Sequence, residues 1–213
     1  MSIPYYKLNI DITDAIKPDF DLSKFGIEKD WVWPFFKDDI NDIFNPDWVK
    51  YMSEMGLNVH EGTIFFKIPN LPPKSHIHID SLPTNPWKLC YYGINWLMDL
   101  KHLSPKFNRS SMKGDRVDDS TMLWYHQSEY PVTKLTVKQD NHDRIVNYFS
   151  AEYKSISDRV SIGDDVYLVR TSTPHTVETK SSYRVAMSLR NVFNDDHDIP
   201  WEGIVEKMKP WII

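Results

Sequence analysis

The last third of the chain constrains the fold most. Arg159-Val160-Ser161-Ile162, Val166 to Thr171, the run starting at Pro174-His175 and Tyr183 to Arg190 are short apolar segments. Gly163-Asp164-Asp165 and Lys180-Ser181-Ser182 part them as turns. Runs this short with turn signals between them read as strands of an antiparallel sandwich or barrel, not as helices. Earlier stretches fit the same pattern. Tyr5 to Ile12 opens with an alternating run, and Thr63 to Ile68, His76 to Asp80, Leu89 to Met98 and Thr121 to His126 read as strands. Leu135 to Lys138 and Asn147 to Tyr153 are weaker strand candidates. Trp31-Val32-Trp33-Pro34-Phe35-Phe36 is a dense aromatic cluster, best suited to packing. Asn45-Pro46-Asp47 starts a helix, with a capping side chain followed by proline at the first helical position. Trp48, Tyr51, Met52 and Met55 continue it at helical spacing, and Gly56 closes it. A second helix runs from Trp201 to Lys209. The expected class is mainly β with flanking helices.

With 213 residues, 41% of them hydrophobic, the chain can bury one good-sized core, and no linker or repeat divides it. A single domain over 1–213 is expected, with a barrel core at about 60–192 and helices packed outside. The net charge of −5 gives no electrostatic footprint for nucleic acid. One cysteine, Cys90, excludes an internal disulfide framework and a cysteine-based zinc site. The start, MSIPYYKLNIDITD, lacks a basic-then-apolar leader, and no apolar run reaches the ~18 residues of a membrane span. These features predict a soluble, cytoplasmic protein.

The chemistry concentrates in Ser75-His76-Ile77-His78-Ile79-Asp80. Strand side chains alternate faces, so His76, His78 and Asp80 share one face and the isoleucines the other. Two histidines and one carboxylate form the facial triad of non-haem Fe(II), with positions left open for substrate and oxygen. His175 is the best distal candidate. If His175 to Arg190 form a hairpin with an even loop, Arg184 and Arg190 point the same way as His175. Guanidiniums facing an interior are costly unless they meet an anion, and arginine grips a carboxylate through its planar fork. The surface alternative pairs Arg184 with Glu178.

The order His78-x-Asp80, distal His175 and Arg184 nine residues on resembles the Fe(II)/2-oxoglutarate-dependent dioxygenases. PPKSHIHID, YGINWLM, STMLWYHQ and GDDVYLVRTSTPHTVETKSSYRVAMSLR follow that family's strand series over about residues 60–192. The likeness is nearest to small members related to aspartyl/asparaginyl β-hydroxylases, from which Asp80 departs by completing the triad. The resemblance implies a double-stranded β-helix, a cupin-like jelly-roll barrel. It implies that His78, Asp80 and His175 hold Fe(II) and that Arg184 binds the distal carboxylate of 2-oxoglutarate, with Arg190 a second candidate for an oxoglutarate contact. The activity implied is hydroxylation coupled to oxidative decarboxylation of 2-oxoglutarate, with molecular oxygen as co-substrate.

Several roles stay open at this level. His76 reads as a substrate contact or a neighbour of the ligands. Trp124 and Tyr125 suit a pocket wall or the core, and Lys67 and Asn95 suit the cofactor or the scaffold. The polar stretch from Asp99 to Ser120 reads as a substrate lid or an inert insertion. A cupin-like metalloenzyme without oxoglutarate, in which His76 becomes a ligand, and a barrel that only binds metal or a carboxylate are the competing functions. The substrate, a small molecule or a side chain, and the oligomeric state are not written in the sequence.

Overall fold

The structure is a computed structural model that describes residues 3–21, 31–67, 78–80, 90–98, 121–126, 133–139, 142–148, 156–178, 184–193 and 198–213. His76 and the stretch 99–120 lie outside the described residues.

Twelve strands are described: β1 (Tyr5–Leu8), β2 (Trp31–Phe35), β3 (Glu61–Lys67), β4 (His78–Ile79), β5 (Tyr92–Leu97), β6 (Thr121–Tyr125), β7 (Thr133–Gln139), β8 (His142–Tyr148), β9 (Ile156–Ser161), β10 (Val166–Arg170), β11 (His175–Glu178) and β12 (Arg184–Arg190). The helices are α1 (Ile40–Ile43), α2 (Pro46–Glu54) and α3 (Trp201–Met208). The strands form two six-stranded antiparallel sheets, ordered β1-β10-β5-β12-β3-β2 and β7-β8-β4-β11-β6-β9. The chain from β3 to β6 runs against the chain from β9 to β12, pair by pair: β3 with β12, β4 with β11, β5 with β10 and β6 with β9. Successive members of this series fall in opposite sheets.

One expectation fails here. His175 to Arg190 is not a hairpin, because β11 pairs with β4 and β6 while β12 pairs with β3 and β5 in the other sheet. A β11–β12 pair would leave β4 and β3 without their central partners. The chain therefore crosses between layers where its polar turn suggested a tight return.

Strand alternation explains the packing. On β5, Ile94 and Trp96 face the helices, joining Trp48 and Met52 of α2 and Trp201, Ile204 and Met208 of α3 in the larger core. From β12, Val185, Met187 and Leu189 enter the same core. The helix α2 forms where its sequence signals place it: Asn45 Oδ1 accepts from the Asp47 N–H at 3.1 Å, proline follows the cap, and Gly56 turns the chain at φ 77°. A second core of Met122, Trp124, Val160, Ile162 and Val169 joins the two sheets across their inner faces. Trp124 is fully buried and its Nε1 donates to the Arg170 carbonyl at 2.8 Å, so it is scaffold.

Candidate metal centre

The short strand β4 places His78 and Asp80 on the inner side and Ile79 on the outer side, where it packs with Leu123 and Tyr125. On β11, His175 lies directly across from His78, and Trp124 of β6 is its partner on the other edge. Residues opposite each other in an antiparallel pair share a face. The His78 and His175 rings are 4.5 Å apart between centroids.

Three donor atoms converge. Asp80 Oδ1 lies 3.3 Å from His78 Nε2 and 3.7 Å from His175 Nε2. One donor atom from each of the three residues lies within 4.8 Å of the others. A cation ~2.1 Å from each of three neighbouring ligands needs them roughly 3 Å apart, so the two Asp80–His pairs are close to that spacing and the two imidazoles would have to draw together around it. His175 is already oriented: its Nδ1 lies 2.9 Å from the Thr173 carbonyl, and donating there leaves Nε2 with its lone pair toward Asp80.

The electrostatics match a cation site. Burial pushes the His175 imidazole down to about 4, with the neighbouring His78 acting in the same direction. It is therefore neutral, and able to ligate, over the ordinary pH range. Burial alone would raise the Asp80 carboxyl. The charge of Arg190, then that of His175 and the hydrogen bond from His78, outweigh burial and hold it well below the usual carboxylate range. The side chains of His175, Asp80 and His78 are 3%, 12% and 28% exposed, so the site opens on the His78 side.

Of the two predicted arginines, Arg190 reaches this cluster. It is 2% exposed and its Nη2 donates to Asp80 Oδ2 at 2.6 Å. Arg184 opens β12 opposite Lys67, and its side chain is outside the described set. Asn95 is on the same inner face of the first sheet and accepts a hydrogen bond from Ser188. The sequence reading missed Thr171, Thr173, Cys90, Tyr92 and Gly93 as members of this neighbourhood. Thr171 Oγ1 donates to the Cys90 carbonyl at 2.7 Å, and the Cys90 N–H donates to the Asp80 carbonyl at 3.0 Å. The one signal available was Gly93, an isolated glycine in a strand, which marks close approach by other atoms.

Comparison of the chain with family models, with curated proteins and with solved structures finds no match. Among the described residues no helix is long and apolar enough to cross a membrane.

Proposed function

We propose that this chain is a non-haem Fe(II)- and 2-oxoglutarate-dependent dioxygenase that hydroxylates a small-molecule or side-chain substrate. The observation that carries the reading is the convergence of Asp80 Oδ1, His78 Nε2 and His175 Nε2 on one inner sheet face. Two imidazoles and a carboxylate suit Fe(II) and leave coordination positions for other ligands. The pairing of β3–β6 against β9–β12 supports the double-stranded β-helix reading, a jelly roll rolled from one long folded-back strand series.

In this reading His78, Asp80 and His175 hold the metal. Iron and oxoglutarate, when bound, would let molecular oxygen act as the oxidant, one oxygen atom going to the substrate and the other to succinate as oxoglutarate loses CO2. The chain orients the donors, keeps Asp80 ionised and His175 neutral, and seals the His175 side from water. Substrate approaches from the His78 side, where the cluster is open. Arg184, at the start of β12, is the proposed anchor for the distal carboxylate of oxoglutarate, through its bidentate fork.

The test is oxygen uptake and succinate formation by purified, Fe(II)-loaded protein. Succinate that depends on oxoglutarate and disappears in Asp80→Ala supports the dioxygenase. Metal binding with no oxoglutarate turnover against a broad panel of amines, amino acids, peptides and nucleosides overturns it in favour of a barrel that only binds metal.

A further inference from the structure

The two oxygens of Asp80 have different partners. Oδ1 faces the two imidazoles at 3.3 and 3.7 Å, while Oδ2 accepts from Arg190 Nη2 at 2.6 Å. From this split we infer that Arg190 is a positioning residue: it holds Asp80 by Oδ2 and reserves Oδ1 as a single-oxygen ligand for a divalent cation shared with His78 and His175. The inference rests on the metal reading proposed above.

The guanidinium is itself held in place. Its Nη1 donates to the Tyr92 carbonyl at 2.9 Å and to Thr171 Oγ1 at 3.2 Å. The Thr171 hydroxyl proton is committed to the Cys90 carbonyl, so the oxygen presents a lone pair to Arg190. Tyr92 belongs to β5 and Thr171 follows β10, both in the first sheet, whereas Asp80 follows β4 in the second. Arg190 thus ties the ligand strand to the opposite layer. Gly93 leaves room beside it: an added Cβ would lie 2.5 Å from Ser188 Oγ and 2.7 Å from both Arg190 Nη1 and Asn95 Oδ1.

The charge arithmetic favours the same role. Asp80 and Arg190 neutralise each other, so the carboxylate stays ionised in a largely buried place before any cation arrives. A carboxylate that chelated through both oxygens would occupy two coordination positions. With Oδ2 bound to Arg190 it occupies one, and a position is kept for a further ligand.

Co(II) is the probe. The difference infrared spectrum of Co(II)-loaded minus metal-free wild type should show the wide carboxylate stretch separation of single-oxygen ligation, with Asp80→Asn identifying the bands. Arg190→Gln should bind Co(II) roughly 10- to 100-fold more weakly, the range for lost partners of metal ligands. Arg190→Lys should recover part of that loss. Arg190→Gln that is folded by circular dichroism and binds Co(II) within about twofold of wild type overturns the inference while leaving the metal site intact. If Arg190→Gln does not fold, the wild-type spectrum decides, and a chelating signature overturns the inference. Wild type that binds no Co(II) overturns the metal reading itself and this role with it.

Discussion

Arg190 is 2% exposed and pairs with Asp80 at 2.6 Å, so each residue is the condition for burying the other. Breaking a buried ion pair by removing one partner costs about 3–5 kcal/mol, because a charge is left buried without its counter-charge. Asp80→Ala should therefore lower the unfolding free energy of the metal-free protein by about that amount in urea titrations. His78→Ala, at the open side of the site, should cost about 1 kcal/mol while removing a proposed metal ligand, as Asp80→Ala does. Equal losses for the two variants would mean that the Asp80–Arg190 pair does not carry the local stability. Arg184→Lys keeps the charge but loses the planar fork, so the KM for oxoglutarate should rise about tenfold or more with Co(II) affinity unchanged. If KM stays put, the carboxylate anchor is another residue.

The elements most legible in the sequence were those fixed by local rules. Asn45, Pro46 and Gly56 mark both ends of α2, and the helix forms where they place it. Because Asn45 Oδ1 caps the Asp47 N–H, Asn45→Ala should cost about 1 kcal/mol, read as a lower thermal midpoint, and Asn45→Gly less. A smaller loss for alanine than for glycine would show that the cap bond is not what fixes this end. The alternation from His78 to Asp80 likewise predicted which side chains share a face, since that follows from strand geometry alone. The β11–β12 hairpin was misread for a physical reason. A polar turn between two apolar runs signals that the chain reverses direction, but not whether the second run returns beside the first or crosses to another layer. The partners of β12 are β3 and β5, and residue 188 meets residues 63 and 95, separations that no short-range pattern encodes.

At the scale of the whole molecule, the site is an interface between layers. His78, Asp80 and His175 come from the second sheet, and Arg190 reaches them from the first. The clustering of His78, Asp80 and His175 was legible because each member sits in a local pattern; the Asp80–Arg190 contact was not, because it spans 110 positions and depends on how the sheets face each other. This placement has a consequence for acid stability. In the folded, metal-free protein burial, and after it the neighbouring His78, push the His175 imidazole down to about 4 from the ordinary 6.5, against the opposing pull of the Asp80 carboxylate. The unfolded chain therefore binds a proton at this residue between pH 6.5 and about 4 that the folded chain does not. Stability from this group is present in full above pH 6.5, is lost as pH falls across that window, and changes no further below it. Asp80, also depressed, adds a second loss that begins only as pH drops below 3.8. The slope from one such group is at most about 1.4 kcal/mol per pH unit. Urea midpoints of metal-free wild type should fall between pH 6.5 and 4.5, and His175→Gln, which cannot titrate, should show a flatter profile over that interval. Identical slopes for the two proteins would show that His175 is not held neutral by its burial between the sheets.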